Sequence, residues 1–173
     1  NTTAQSSSNA CSGIGSYYWE IGDKTQRLAS GAVGSTYRAN TAMNIASASK
    51  WLYGAYVVER RGGMLSAEDI RFLNFQSGYA NFSTGGCDQT DSVASCLTHD
   101  NNGDYVPARL NRFYYDGGHM QTHANASTGM NIGPLANAAL ATEIRSQLGI
   151  GISLSYTQPQ LAGGARSTPA DYA

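Results

Sequence analysis

Two residues with complementary chemistry, Ser47 and Lys50, stand three positions apart in the segment NIASASKWLYGAYVVERRGG at 44–63. An α-helix completes a turn in about 3.6 residues, so a helix that starts at Ser47 places the Lys50 amine beside the serine hydroxyl. Serine attacks a carbonyl only when a base takes its proton, and a lysine whose charge is disfavoured by burial can be that base. The N–H groups and the dipole at a helix N-terminus favour the negative charge that develops there. The spacing is therefore suited to acyl transfer.

An apolar run at 51–58 follows the lysine, and a Gly-Gly pair at 62–63 closes the segment. A helix that is apolar on nearly every side is typical of a protein core, and glycine is a frequent C-terminal stop. We therefore expect a buried helix over about 47–61. The S-x-x-K spacing alone is common, however, and Ser47 could simply cap this helix while Lys50 points into water.

The other elements are predicted from turn residues and from apolar periodicity. Ser66 followed by Asp69 is a capping pattern that predicts a second, short helix. The segment 76–107 is rich in Gly, Asn, Asp, Ser and Thr, which indicates a long loop of the kind that forms binding surfaces or lids. The chain is further expected to form a β-hairpin over 15–34, a connecting loop over 35–46, a helix over 133–148 that ends at Gly149, and a strand or extended segment over 150–157.

Composition indicates a folded globular protein and excludes several functions. The 173 residues are enough for one domain, and 41% of them are hydrophobic. Only 13% are charged, the net charge is −1, and there is no basic cluster, so we expect neither nucleic acid nor an anionic membrane as partner. No apolar run is long enough to predict a membrane span. The polar opening at 1–13, which begins with Asn, predicts a flexible segment exposed by signal-peptide removal in a secreted or periplasmic protein, although a boundary chosen for expression would look the same.

The three cysteines fit an oxidising compartment. Cys87 and Cys96 bracket a short polar loop, and we expect them to form a disulfide there. Closing a loop of that size constrains the unfolded chain by about 2–3 kcal/mol. Cys11 is then left over, either as a free thiol or as a bond to another chain.

Two patterns suggest metal ligands, and both are incomplete. His119 and His123 have the spacing of the two zinc ligands in H-E-x-x-H, but the glutamate is missing. Asp100, Asn102 and Asp104 alternate like the start of a calcium loop, but the glycine is misplaced and the last ligand is not acidic. We therefore expect no metal and no cofactor.

Five motifs, in order along the chain, resemble the serine β-lactamase and penicillin-binding-protein family. Within it, the similarity is to the branch of class C β-lactamases, D-Ala-D-Ala carboxypeptidases and related esterases. The motifs are IASASK at 45–50, VVERRGGMLSAEDI at 57–70, CLTHD at 96–100, YYDGGHM at 114–120 and AGGARSTPADYA at 162–173. The resemblance implies an α+β fold, an α/β sandwich in which helices flank an antiparallel sheet. It makes 14–173 the N-terminal part of one such domain.

The resemblance also assigns roles to particular residues. Ser47 is implied to be the acylated nucleophile, with Lys50 and Tyr114 as its partners in proton transfer. Asp116, where the family normally has Asn, and Gly118 are implied to bind substrate. An amide both donates and accepts hydrogen bonds whereas a carboxylate only accepts, so Asp116 is expected to change the rate and the preferred substrate. From the residues alone, Tyr114 could equally be a packing residue and Asp116 a solvated turn residue.

The family's third motif, a Lys- or His-Thr/Ser-Gly triplet on an edge strand, has no counterpart here. The triplet at 127–129 comes too early, and the helix start at Thr168 is followed almost at once by the end of the sequence. We therefore expect the fold to be completed by a missing C-terminal segment or by a second polypeptide, with Cys11 as a candidate link.

Two functions remain open at this stage. The first is a secreted serine hydrolase acting on amide or ester bonds, of peptidase, β-lactamase or esterase type, through an acyl-Ser47 intermediate and as one chain of a cleaved two-chain enzyme. The second is a binding or sensor domain on the same fold that is acylated without turnover, or does not react.

Overall fold

The computed structural model describes residues 3, 6, 8–83 and 87–173; the side chain of Cys11, the candidate link to a second chain, lies outside the described part. The chain divides into two compact units. One comprises Asn1–Met43 and Ser167–Ala173, and the other comprises Asn44–Arg166. The prediction of a single domain over 14–173, preceded by a flexible segment at 1–13, stays a prediction.

The first unit contains the predicted β-hairpin. Strands β1 (Tyr17–Gly22) and β2 (Arg27–Val33) are antiparallel, with Tyr17 opposite Val33. Asp23 closes the turn because its Oδ1 accepts the backbone N–H of Thr25 at 2.7 Å. A 3-10 turn at Ala10–Gly13 belongs to the same unit.

The second unit is mainly helical. Helix α1 spans Ser49–Arg60, α2 Ala67–Leu73, α3 Gly118–Asn125 and α4 Asn137–Leu148; α5, in the first unit, spans Pro169–Tyr172. Strands β3 (Met43–Asn44), β4 (Leu154–Tyr156) and β5 (Ala165–Ser167) form a sheet of order β3-β5-β4, and the chain passes between the units within β3 and β5. The chain thus mixes helices with two small sheets, which agrees with the predicted α+β class, whereas the sandwich of helices around one antiparallel sheet and its completion by further polypeptide stay predictions. Among the described residues, no helix has the length and apolar character needed to cross a membrane.

Helix α1 is the centre of the second unit, but it is buried on one face only. Tyr53, Tyr56 and Val57 are fully buried. Trp51 and Val58, on the other side, are 72% and 38% exposed. The prediction of a helix buried all round was therefore wrong for this face. The predicted end of the helix is confirmed, since the Gly-Gly pair at 62–63 has positive φ.

A chain of buried polar contacts joins α1, α2 and α3. The predicted capping box is present at the start of α2, where Ser66 Oγ accepts the backbone N–H of Asp69 and the Asp69 carboxylate accepts that of Ser66. The same carboxylate accepts from Arg61 at 2.9 Å and contacts His123 Nε2 at 2.9 Å. His123 Nδ1 lies 2.8 Å from the Tyr53 hydroxyl. Because all of these groups are paired, the three helices are fixed against one another by directional bonds as well as by packing.

The remaining predictions on the second unit hold in outline. Helix α4 is shorter than the predicted 133–148 and ends at Gly149, where φ is +141°. The predicted extended segment contains β4. The Cys87–Cys96 disulfide is present in the long loop, and Phe82 packs against it.

Candidate active site

Ser47 lies in a 3-10 turn, Ala46–Ala48, directly before α1, rather than in the helix itself. Ala46 has φ +44°, a left-handed conformation that is uncommon for a residue with a Cβ. Ser49 holds this turn: its fully buried Oγ donates to the Ala46 carbonyl at 2.6 Å and accepts the N–H of Ala165 at 3.2 Å. The turn leaves Ser47 exposed, so its hydroxyl is accessible to a ligand.

Lys50 reaches back to this serine as the spacing predicts. Its Nζ donates to Ser47 Oγ at 3.0 Å. It also donates at 2.9 Å to the carbonyl of Ala162, which lies in the loop between β4 and β5. The ammonium therefore has two fixed partners and is directed at the hydroxyl.

The tyrosine beside this pair is Tyr115, whereas the motif predicts Tyr114 as the partner in proton transfer. The Lys50 ammonium lies 4.7 Å from the centre of the Tyr115 ring. The hydrogen bond with Ser47 lowers the pKa of Tyr115, and although burial raises it, the contact with Lys50 lowers it further. Only the phenolate form of a tyrosine can accept a serine proton, and a lowered pKa makes that form more abundant near neutral pH.

Tyr114 is directed elsewhere. Its ring stacks on the Arg109 guanidinium, whose carbon lies 3.4 Å from the ring centre. Both residues line a polar cavity of about 270 Å³ that Phe82 and Asp116 also line. The two tyrosines are neighbours in sequence, and the composition of the motif does not decide which of them lies beside Lys50.

Asp116 and Gly118 follow Tyr115 in the chain, and only Asp116 lines the cavity around Ser47. The Asp116 Oδ1 accepts the N–H of Gly118 at 2.7 Å. Gly118 is buried as the first residue of α3, and a Cβ there would come within 2.8 Å of the Tyr79 carbonyl. Gly117, rather than Gly118, reaches the cavity wall. The glycine at 118 is thus explained by the close backbone approach.

The site is a cavity of about 460 Å³ with a mixed polar and apolar wall, large enough for a small substrate. It is lined by the Ser47 turn, by the residues just before α3 and by the β4–β5 loop. The lining residues are Asn44, Ala46, Ser47, Lys50, Phe82, Tyr115, Asp116, Gly117, Thr157, Gln158, Gln160, Ala162 and Gly163. A nucleophile, a cation and an acidic phenol meet in one place, which is the set needed for covalent acyl transfer.

The two histidines considered as metal ligands have both ring nitrogens paired. His119 Nδ1 lies 2.6 Å from Ser77 Oγ, and its Nε2 lies 2.9 Å from the Tyr114 carbonyl. His123 bonds to Tyr53 and Asp69 as described above. Within the part of the chain that the structure describes, no group of three or more acidic, histidine or cysteine side chains could hold a metal ion.

Three features of the site were missed from the sequence. Tyr115 was passed over for its neighbour. Ser49, between the two residues of the motif, was given no role. The Ala162 carbonyl that accepts from Lys50 is a backbone atom 112 residues away. The repeated serine of the motif was the available signal for Ser49, but no side-chain pattern could have indicated the carbonyl.

The chain was compared with known proteins. No protein-family profile matches it, and no curated protein matches it. It is similar to the solved structure of a protein named "putative beta-lactamase from Bacteroides dorei DSM 17855", with a TM-score of 0.63 and 20% sequence identity. The alignment covers 91% of this chain and 55% of that chain. At this identity the similarity concerns the fold, so the chain has a β-lactamase-like fold and spans about half the length of that neighbour.

Proposed function

We propose that this chain forms the nucleophile-bearing part of a secreted serine hydrolase that cleaves amide or ester bonds through an acyl-Ser47 intermediate. The observation that carries the proposal is the 3.0 Å hydrogen bond from Lys50 Nζ to Ser47 Oγ, with the Tyr115 ring beside both groups. The β-lactamase-like fold supports a hydrolase. Class C β-lactamases, carboxypeptidases and related esterases are the branch that the sequence motifs resemble.

In the proposed mechanism, Ser47 Oγ attacks the substrate carbonyl while its proton passes to Tyr115, assisted by Lys50. The tetrahedral intermediate collapses when the bond to the leaving group breaks and the proton is returned to that amine or alcohol. Water then attacks the ester carbonyl while Tyr115 takes a proton from it; the bond from the carbonyl carbon to Ser47 Oγ breaks, the proton returns to Oγ, and the acid leaves. The N–H of Ser47 is one donor suited to the developing oxyanion.

Asp116 and Gly117 would adjust this chemistry. The motif of the family has Asn two positions after its tyrosine, and two positions after Tyr115 this chain has Gly117. The Asp116 carboxylate lines the cavity instead. A carboxylate accepts hydrogen bonds without donating any, so Asp116 would select substrates that present N–H or O–H groups and disfavour acidic ones.

We also propose that a second polypeptide, or a further segment, completes the fold. The open face of α1 supports this, because Trp51 and Val58 border an apolar groove of about 540 Å³ that also reaches Lys50. Exposed apolar surface of this kind marks interaction sites. The neighbouring structure is also longer than this chain, so additional polypeptide in that fold could cover the groove. The Cys87–Cys96 disulfide supports an extracytoplasmic location.

The groove can be tested directly. Trp51→Asp and Val58→Asp should each weaken the association of a separately expressed C-terminal polypeptide with this chain, as measured by native mass spectrometry. Ile150→Asp is a control, since Ile150 is 87% exposed and does not line the groove. A chain that forms the acyl-enzyme at full rate with no second polypeptide would contradict the two-chain proposal.

The hydrolase proposal is tested by intact-mass spectrometry of the purified protein before and after a fluorophosphonate probe, with and without reduction. We expect one adduct, mapped to Ser47 and absent from Ser47→Ala. A polypeptide released only by reduction would support a disulfide-linked partner.

The alternative function, a binding or sensor domain, is favoured by the unusual Asp116. It predicts that ester substrates are not turned over, whether or not the probe forms an adduct with Ser47.

A further inference from the structure

Gln121 is a buried polar residue that the proposed mechanism does not use. It lies one turn into α3 and is fully buried. A buried amide must satisfy its donors and its acceptor, because leaving one unpaired costs more than the bond itself contributes. The partners of Gln121 therefore show what holds it in place.

Those partners connect α3 with the loop that carries the Lys50 acceptor. Gln121 Nε2 donates to the carbonyls of Val93 at 3.0 Å and Pro159 at 2.8 Å. Its Oε1 accepts the N–H of Leu161 at 3.1 Å. Two of these three bonds thus go to the β4–β5 loop, on either side of Gln160.

The residue after Leu161 is Ala162, whose carbonyl accepts the hydrogen bond from Lys50 Nζ. At the other end, α3 begins three residues after Tyr115, and the Gln121 N–H donates to the Gly117 carbonyl at 3.1 Å. One side chain therefore links the wall that carries Tyr115 to the loop that fixes Lys50.

We propose that Gln121 is a positioning residue: it sets the distance between Tyr115 and the Ala162 carbonyl, and through that carbonyl it orients the Lys50 ammonium toward Ser47. The inference rests on the proposed function of Ser47. It differs from a packing role in requiring the donor and the acceptor of the amide, rather than its volume. A displacement of about 1 Å at a catalytic group can cost on the order of a hundredfold in rate.

The test compares Gln121→Met, which keeps the volume and removes the bonds, with Gln121→Glu. For Gln121→Met we expect the kcat of ester hydrolysis to fall about tenfold to a hundredfold with KM little changed. Gln121→Glu has a pH signature. When its carboxyl is protonated it can donate to the Pro159 carbonyl and accept from Leu161, so the ratio of its kcat to that of wild type should rise as the pH falls. Tyr56→Phe is the matched control, because it removes the hydroxyl that donates to Glu143, a hydrogen bond that involves neither α3 nor the loop.

Hydrogen exchange separates this proposal from the proposed function. The amides of 158–164 should exchange faster in Gln121→Met than in wild type, and should be unchanged in Tyr56→Phe. If wild type is never acylated at Ser47, the proposed function fails, and the exchange data alone decide whether Gln121 fixes the loop. Unchanged exchange in Gln121→Met, an equal fall in kcat for Tyr56→Phe, or a pH-independent ratio for Gln121→Glu would each overturn the positioning role.

Discussion

The Lys50 ammonium lies 4.7 Å from the centre of the Tyr115 ring, so the lysine of the S-x-x-K motif contacts both the serine and the tyrosine. A cation close to a phenol stabilises its phenolate. The proton of Ser47 can thus be received by a group whose charged form is favoured more than that of a free tyrosine. The predictions that follow depend on this arrangement and on the buried contacts that support it.

The two adjacent tyrosines should differ sharply in their effect on acylation. Tyr115→Phe removes the proposed proton acceptor, so its rate of fluorophosphonate labelling should fall by about 10²- to 10⁴-fold. Tyr114→Phe keeps a ring that can stack on Arg109 and should label at nearly the wild-type rate. The measurement is intact mass against time. Equal losses in the two variants would contradict the assignment of Tyr115.

Tyr115 should ionise at lower pH than an ordinary tyrosine, because the hydrogen bond with Ser47 and the contact with Lys50 lower its pKa. Its phenolate is therefore populated first as the pH rises. An ultraviolet difference titration of wild type against Tyr115→Phe isolates this group, and the alkaline-activated limb of the acylation rate should follow the same transition. A difference spectrum with the midpoint of a free tyrosine would contradict the prediction.

Acidification should destabilise the protein in two stages. Burial lowers the pKa of His123, although the hydrogen bond to Asp69 opposes it. The unfolded chain therefore takes up a proton that the folded chain resists, and the free energy of unfolding falls as the pH drops below about 6.5. Burial alone would raise the pKa of Asp69, but hydrogen bonds from Arg61 and Ser66 hold it well below its usual range, so a further loss follows below about pH 3.9.

Urea unfolding at a series of pH values measures both stages. Each pH unit between the unfolded and folded pKa values of one group changes the free energy of unfolding by up to about 1.4 kcal/mol. His119, whose pKa burial also lowers, adds to the first stage. The His99–Asp91 pair, in which the hydrogen bond raises the pKa of His99, acts with the opposite sign. A His123→Gln variant should lose part of the first stage and keep the second.

Ser49→Ala should weaken both stability and reactivity. It leaves the Ala165 N–H, a buried donor, without the Ser49 acceptor, and it frees the left-handed turn at Ala46. The expected loss is about 1–3 kcal/mol in the free energy of unfolding, accompanied by slower acylation of Ser47. Ser49→Cys, which restores a weak donor and acceptor of similar size, is the control. A Ser49→Ala variant with unchanged acylation would show that the turn keeps its shape unaided.

Reduction of the Cys87–Cys96 disulfide should lower the free energy of unfolding by about 2–3 kcal/mol, since it releases the constraint on the unfolded chain. The double variant Cys87→Ala/Cys96→Ala should reproduce the loss without a reductant. Phe82, which packs on the disulfide, lines the site, so KM for ester substrates should rise as well. A change in stability without a change in KM would place the two effects on separate parts of the loop.

Local sequence signals were sufficient for much of the fold. The Ser66–Asp69 capping box, the Gly-Gly stop after α1 and the hairpin turn at Asp23 are decided by neighbours within a few residues. The Ser47–Lys50 contact was also predictable, because helical spacing alone brings the two side chains together. These features need no knowledge of the rest of the chain.

Features set by distant residues could not be predicted. Helix α3 was missed because its buried face carries His119, Gln121 and His123, and such a face has no apolar period. Which of the two tyrosines lies beside Lys50 depends on the backbone path into α3 and on the stacking of Tyr114 against Arg109. The exposure of Trp51 was missed because an apolar side chain indicates a partner surface without saying whether that surface lies in the same chain.

The polar face of α3 has a consequence for how the site is assembled. Apolar contacts have no preferred direction, but three fully buried polar side chains of this helix each have a particular partner: Ser77 for His119, Val93 for Gln121 and Tyr53 for His123. Rotating or shifting the helix by one residue would break all three contacts together. The three contacts together therefore allow only one position of the helix. Tyr115 lies three residues before the first turn, so its position depends on that of the helix.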